Sequence, residues 1–128
     1  MRRLIKTGRY QIIHCHQYTP YVYGVLSSLF TGAKVIFTEH GRFYPDYGTW
    51  KRKLINPIFS LFTSKITAIS NATKDALVQY ENFDRARIEV IYNGIADMSQ
   101  IEVDETELKE HFGIPKSAFL FGTISRLQ

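Results

Sequence analysis

Polar residues that can bind ligands or transfer protons follow two apolar runs near the start of this sequence. The first run ends at His14 and His16, and the second, KVIFTEHGR, ends at Glu39, His40 and Arg42. An imidazole with its ordinary pKa of about 6.5 can accept or donate a proton near neutral pH. A carboxylate can orient an imidazole, and a guanidinium binds anionic groups. These residue types predict a site for a polar or anionic small molecule.

The segments that must position these residues alternate between short apolar runs and longer runs with helical spacing. The predicted strands cover residues 10–14, a run from Lys34, 66–69 and 88–92, and the predicted helices cover 21–30, 51–62 and 72–80. Ser70 or Asn71 can cap the last of these helices. The alternation predicts an α/β protein with a doubly wound parallel sheet. The carboxyl ends of its strands then meet at one edge, where ligands bind in such sheets.

The last third of the sequence has a different character. Asp104 is the predicted N-cap of a short helix over 105–112, and Gly113 is its stop signal. Residues 118–124 (AFLFGTI) predict a fifth strand, after which the sequence ends almost at once. A strand without a following unit leaves an unpaired edge, so we expect both ends of the chain to cut into a larger fold.

Composition restricts the functional class. The chain has 128 residues and is 45% hydrophobic, which is enough to bury a core. Its net charge of +4 makes it only moderately basic. Its basic residues are mostly scattered, so a nucleic-acid surface is not expected. Cys15 is the single cysteine, and no apolar run approaches the roughly 20 residues of a membrane span. No signal peptide is apparent, and we expect a cytoplasmic protein.

The HxH pattern admits a second interpretation. Residues at i and i+2 of an extended segment point the same way, so His14 and His16 can face one ligand while Cys15 points into the core as a structural thiol. With Glu39 and His40 nearby, such a pair can hold a metal in a hydrolase. A further carboxylate or histidine at a strand end is missing from the sequence, so no metal is expected.

The ordered segments YQIIHCH, KVIFTEHG, ITAIS, IEVIYNGI and FLFGTISRL together resemble the GT4-type retaining glycosyltransferases. These enzymes have the GT-B architecture, in which two Rossmann-like domains face each other across a cleft. The resemblance implies that residues 1–94 are part of the acceptor-side domain and that 95–117 form a connector with a short helix. Residues 118–128 would be the first strand of the donor-binding domain. Asn93 and Gly94 would form the interdomain junction, where Ala96 replaces the family's usual acid.

The same resemblance implies roles for the polar strand ends. His40 would be the catalytic histidine at the boundary between acceptor and donor, and His14, His16, Glu39 and Arg42 would bind the acceptor. Glu39 would orient His40 or remain solvated. Arg126 would contact the diphosphate of a nucleotide sugar, which is a substrate and not a cofactor. The acceptor would be a glycan or a lipid-linked sugar, and the chain alone is expected to be inactive.

The segment 43–50 (FYPDYGTW) concentrates aromatic residues next to Lys51-Arg52-Lys53. Aromatic rings can stack on sugars or lie at lipid headgroups, so a lid that touches a membrane or a lipid-linked acceptor is one interpretation. An ordinary exposed loop is the other. Beyond the transferase, a GT-B-like epimerase, a metal-dependent hydrolase and a non-enzymatic module that pairs with another chain remain alternatives.

Overall fold

The computed structural model describes residues 1–41, 48–97 and 104–123. The chain divides into two compact units, Met1–Gly94 and Ile95–Gln128. The described strands are β1 (Ile12–His16), β2 (Lys34–Glu39), β3 (Thr63–Ala68) and β4 (Ile88–Val90), and the described helices are α1 (Arg2–Thr7), α2 (Tyr18–Ser28), α3 (Trp50–Leu61), α4 (Asn71–Glu81) and α5 (Glu105–His111). A 3-10 turn, Arg85–Arg87, precedes β4.

The first unit is a parallel four-stranded sheet with the order β1-β2-β3-β4. This arrangement confirms the predicted α/β class with a Rossmann-like parallel sheet and flanking helices. Strand order follows chain order, so the described sheet contains no reversal of winding. The doubly wound topology predicted from sequence is therefore not seen within these four strands. Each of α2, α3 and α4 lies in a crossover between neighbouring strands.

Several boundaries differ from the sequence prediction. Residues 2–7 form α1, where only a turn at 6–8 was expected. Strand β1 extends to His16, so both histidines of the HxH pattern belong to the strand and do not follow it. Residues 118–123 form no strand. A strand is stabilised by backbone hydrogen bonds to a neighbour, and the described part of the second unit contains one regular element, α5.

The two faces of the sheet have different environments. On one face, alternate strand residues pack against α2, α3 and α4 around a stacked pair, Tyr21 and Phe37, whose ring centroids are 4.3 Å apart. Burial raises the pKa of Tyr21 to about 12, and its hydroxyl lies 2.9 Å from Thr63 Oγ1. The other face carries mainly polar side chains: His14, His16, Thr38, Lys65, Thr67 and Glu89. Side chains on this polar face are therefore available to form a site.

Close packing of α2 on β1 depends on Gly24. A Cβ atom at this position would lie 2.2 Å from Cys15 Sγ, well inside van der Waals contact. Cys15 is only 3% exposed, and burial raises the pKa of its thiol. The interpretation of Cys15 as a structural thiol thus agrees with its position in the core. The glycine lets the helix approach the strand that carries His14 and His16.

A buried polar network joins α2, α3 and α4. The Asn56 amide donates to Glu81 Oε2 at 3.0 Å and to the Glu81 carbonyl at 2.9 Å, and it accepts from the Tyr18 hydroxyl at 2.8 Å. Arg52 donates to Glu81 Oε1 at 3.0 Å and lies 4.2 Å above the Tyr18 ring. Asn56 and Glu81 are both fully buried, so these bonds replace their contacts with water.

Helix boundaries are set by specific caps. Ser70 Oγ accepts from the Thr73 amide, which confirms Ser70 as the N-cap of α4, and Asp104 caps α5 as predicted. Pro57 lies inside α3 and has no amide hydrogen for the Lys53 carbonyl. Asn82 Nδ2 donates to that carbonyl at 2.9 Å instead. A side chain from the end of α4 therefore compensates for the proline in α3.

Candidate functional site

The carboxyl ends of β1 and β2 bring three histidines together. His16 Nδ1 lies 2.6 Å from His40 Nε2, and their ring centroids are 4.9 Å apart. The rings of His14 and His16 are 4.1 Å apart, which confirms that both point to the same face of the sheet. All three side chains are exposed. We call His14, His16 and His40 the histidine cluster.

A chain of hydrogen bonds anchors the cluster to the sheet. His14 Nε2 lies 2.7 Å from Thr38 Oγ1, which lies 2.7 Å from Thr67 Oγ1. Thr67 Oγ1 donates to the Phe37 carbonyl at 3.3 Å. These residues come from the three neighbouring strands β1, β2 and β3. The cluster is thus held by rigid elements and does not depend on a loop.

The direction of these hydrogen bonds determines the tautomer of His14. The Phe37 carbonyl can only accept, so Thr67 uses its proton there and accepts the proton of Thr38. Thr38 Oγ1 must then accept from His14, which places a proton on Nε2. Neutral His14 therefore keeps Nδ1 as an acceptor. It can receive a hydrogen bond from a hydroxyl group of a ligand.

The electrostatics of the cluster favour neutral His14. Burial first, and then the nearby imidazoles of His16 and His40, lower the pKa of His14 below its ordinary value of 6.5. The site therefore presents an acceptor nitrogen at His14, because both causes disfavour the charged form of its imidazole.

We expect the His14 imidazole to titrate below its ordinary pKa of 6.5, and His40→Ala to raise this midpoint because it removes one of the imidazoles that lower the pKa of His14. The unfolded chain then binds the proton more readily than the folded one. His14 should therefore weaken stability as the pH falls through 6.5 and below. Imidazole C–H chemical shifts from NMR, assigned with His14→Ala, measure the midpoint. An unchanged midpoint in His40→Ala would contradict the coupling.

Backbone geometry next to the cluster is unusual at two positions. Gln17, which links His16 to α2, has φ 70° and ψ 166°, a strained conformation for a residue other than glycine. Its amide donates to the Thr38 carbonyl at 2.9 Å, so the β1–α2 turn is tied to β2. Gly41 follows His40 with φ 129°, and among the described residues no atom outside its chain neighbours lies within 4 Å of the position of a Cβ.

The remaining predicted site residues lie apart from the cluster or outside the described structure. Glu39 is only 4% exposed and lies on the same helix-packed face as Phe37, two residues before it. The expectation that Glu39 stays solvated is therefore wrong. Strand alternation sends it to the face opposite Thr38. Its acceptor role remains a prediction. Arg42 and Arg126 lie outside the described residues.

The predicted junction lies at the end of the first unit. Asn93 and Gly94 are exposed and belong to no helix or strand, and the first unit ends at Gly94. Their role as an interdomain junction remains a prediction, as does the expected division at residue 117.

Among the residues that the structure describes, no three histidines, cysteines or acids are arranged to hold a metal ion. His16 Nδ1 and His40 Nε2 face each other at 2.6 Å, so one of these nitrogens donates a hydrogen bond to the other. Neither of the two is then directed at a metal ion. The expectation that the reaction needs neither a metal nor a cofactor stays a prediction. Within the same described ranges, no helix is long and apolar enough to cross a membrane.

Sequence reasoning missed the two threonines that fix His14. In the sequence, Thr38 and Thr67 each lie within a predicted strand and carry no pattern that indicates a role. The available signal is the pairing of Thr38 with Thr67 on adjacent strands, which needs the register of β2 and β3. Threonine is common in strands, so its type alone does not indicate a role.

The parallel sheet, with polar side chains at the carboxyl ends of adjacent strands, places the chain among α/β proteins that bind ligands at that edge. A family model for Glycosyltransferase Family 4 matches residues 1–97. The chain belongs to this family. No protein of curated function matches it.

One similar solved structure is the crystal structure of a glycosyltransferase from Rickettsia africae ESF-5. The TM-score is 0.69 at 24% sequence identity, and the match covers 91% of this chain. At this identity the likeness shows a shared fold. This chain corresponds to 31% of the length of the Rickettsia protein.

Proposed function

We propose that this chain forms the acceptor side of a retaining glycosyltransferase that uses a nucleotide sugar. The transferred group would be a hexosyl or N-acetylhexosaminyl unit, and the acceptor a glycan or lipid-linked sugar in polysaccharide biosynthesis. The supporting observation is the histidine cluster at the carboxyl ends of β1 and β2 in a chain of Glycosyltransferase Family 4. A buried, reduced Cys15 is compatible with the cytoplasm as the compartment.

The cluster suits recognition of sugar hydroxyl groups. A hydroxyl both donates and accepts, and neutral imidazole does the same through its two nitrogens. His14 offers Nδ1 as an acceptor, while the contact between His16 and His40 uses only one ring nitrogen of each. The second nitrogens of His16 and His40 can therefore bind the acceptor.

In the proposed reaction, the acceptor hydroxyl oxygen forms a bond to the anomeric carbon as the bond to the diphosphate breaks. The hydroxyl proton passes to the departing diphosphate, and the new bond keeps the configuration of the donor. Charge accumulates on the diphosphate, for which Arg126 is the proposed partner. His40 would orient the acceptor hydroxyl, and Asn93 and Gly94 would connect this side of the site to the donor side.

A transfer assay tests this function in the longest natural protein that carries the chain. Labelled UDP- and GDP-sugars are supplied with lipid-linked and free glycan acceptors, and NMR reports the anomeric configuration of the product. We expect transfer with retention, and about a tenfold lower kcat/KM in His40→Ala because one hydrogen bond to the acceptor is lost.

Tyr23→Ser serves as the control for that variant, since Tyr23 is 60% exposed on α2 and belongs to no part of the cluster. Its kcat/KM should equal that of the unmodified protein. A product with inverted anomeric configuration would contradict retention. A donor that is epimerised without transfer would indicate an epimerase, and activity that requires stoichiometric zinc would indicate a metal-dependent hydrolase.

A further inference from the structure

Thr67 carries a buried hydroxyl group on the polar face of the sheet. It lies in the interior strand β3 and is only 7% exposed. Valine has nearly the same shape as threonine, is favoured in strands and would avoid the cost of burying a hydroxyl. The hydroxyl is therefore not needed to fill this position, and its hydrogen bonds indicate what it does.

The oxygen atoms around this hydroxyl are held in place by the sheet. Thr67 Oγ1 lies 2.7 Å from Thr38 Oγ1 and 3.3 Å from the Phe37 carbonyl oxygen. Thr38 is paired with β1 on one side and with β3 on the other, and its own carbonyl accepts from the Gln17 amide at 2.9 Å. Threonine side chains are stiff at χ1. The oxygens are thus fixed, and only the hydroxyl protons can change direction.

Two arrangements of the protons are compatible with these oxygen positions. In the first, Thr67 donates to the Phe37 carbonyl and Thr38 donates to Thr67, so Thr38 accepts from Nε2 of His14. In the second, Thr67 donates to Thr38, and Thr38 donates to an unprotonated Nε2 of His14. The first arrangement forms three hydrogen bonds and the second forms two, because the contact between Thr67 and the Phe37 carbonyl then lacks a proton. The extra bond favours the first arrangement.

The two arrangements give His14 opposite properties toward a ligand. Its side chain is exposed, and within the described ranges its Nδ1 has no hydrogen-bond partner. In the first arrangement Nδ1 of neutral His14 is an acceptor, and in the second it carries the proton and donates. A hydroxyl group that donates to Nδ1 is therefore bound only in the first.

We propose that the buried Thr67 hydroxyl, acting through Thr38, holds the ligand-facing nitrogen of His14 as a hydrogen-bond acceptor for a substrate hydroxyl. Both threonines act on the substrate only through His14, so they are positioning residues. Recognition of a sugar hydroxyl by His14 rests on the proposed glycosyltransferase function, whereas the effect of Thr67 on the tautomer does not.

The tautomer of His14 is measured in the whole chain without substrate. NMR of ¹⁵N-labelled histidine at about pH 8, where the imidazole is neutral, shows which ring nitrogen carries the proton. In the unmodified chain we expect the proton mainly on Nε2. Thr67→Val removes the bond to the Phe37 carbonyl and with it the advantage of the first arrangement. The ratio of protonated Nε2 to protonated Nδ1 should then fall about fivefold, the factor that corresponds to one hydrogen bond.

Two further variants separate the Thr67 hydroxyl from general effects on β3. Thr67→Ser keeps the hydroxyl and should keep the tautomer ratio. Thr63→Val is the matched control, because Thr63 is a 3% exposed threonine of the same strand whose hydroxyl bonds to Tyr21 and to the Phe59 carbonyl. It should leave the ratio unchanged, and circular dichroism verifies folding. An unchanged ratio in Thr67→Val, an equal change in Thr63→Val, or a proton mainly on Nδ1 in the unmodified chain would each overturn the proposal.

Kinetics test the positioning role in the longest natural protein that carries the chain. Thr67→Val should raise the KM for the acceptor about fivefold and leave the KM for the donor unchanged. Thr67→Ser and Thr63→Val should keep both values. An unchanged acceptor KM in Thr67→Val, despite an altered tautomer ratio, would overturn the positioning role. If the unmodified protein transfers no sugar, the proposed function fails, and the NMR result still decides whether Thr67 sets the tautomer.

Discussion

Replacing Asn56 with alanine is expected to lower the free energy of unfolding by about 3 kcal/mol. The substitution removes the two hydrogen bonds that Asn56 donates to Glu81 and the acceptor of the Tyr18 hydroxyl. Glu81 is fully buried, so water cannot easily replace the hydrogen bonds that its carboxylate and its backbone carbonyl lose. The loss is large because a bond to a charged group and the burial of that charge are affected together.

Urea denaturation followed by circular dichroism measures this change. Asn71→Ala is the matched control, since the Asn71 amide donates to the Tyr92 hydroxyl at 3.0 Å in an exposed position. We expect that control to lose less than about 0.5 kcal/mol. Equal losses in the two variants would show that the buried network contributes no more than a surface hydrogen bond.

Replacing Gly24 with alanine is expected to destabilise the protein by about 2 kcal/mol, although alanine is the better helix former. The new methyl group would lie 2.2 Å from Cys15 Sγ, so α2 must move away from β1. That movement loosens the packing of Tyr21 and Val25, the fully buried residues of α2 near this point.

A second substitution distinguishes this clash from a general effect of the helix. Removal of Sγ by Cys15→Ala leaves Ile13 Cγ2 and Cys15 Cβ as the nearest atoms, at 3.6 and 3.8 Å, which is ordinary contact. The double variant should therefore be more stable than Gly24→Ala alone. A double-mutant cycle from thermal or urea unfolding gives the coupling, expected at about 2 kcal/mol. Additive effects would place the cause of destabilisation elsewhere.

The outline of the fold follows from local patterns. Apolar runs of β-branched residues, separated by segments with helical spacing, indicated four parallel strands and three crossover helices. Ser70 and Asp104 were identified as caps because their side chains act on amides two or three residues away. Such interactions depend on neighbours in sequence, so the sequence displays them directly.

Other features depend on partners that are distant in sequence. The strand predicted over 118–124 is absent from residues 118–123, since strand formation requires a neighbouring backbone and not only suitable side chains. The sequence predicts that β1 ends at His14, two residues before its observed end at His16. The pairing of His16 with Thr38 on the neighbouring strand extends β1 to that point. Asn56 gave one indirect signal: it is a polar residue beside Pro57, between the apolar pairs Leu54-Ile55 and Ile58-Phe59.

The sequence by itself determined the class of the fold, the strand ends that carry His14, His16 and His40, and the fact that i and i+2 residues share a face. Only the tertiary structure decided how these residues interact. Strand register placed His16 against His40 and linked His14 through Thr38 to Thr67, and the packing of helices on one face of the sheet buried Glu39. The tertiary structure also turned the apolar side of α3 outward, because burial of Asn56 with Glu81 fixes the rotation of that helix. Local periodicity shows that a helix has two faces, but the buried hydrogen-bond partners decide which face meets the core.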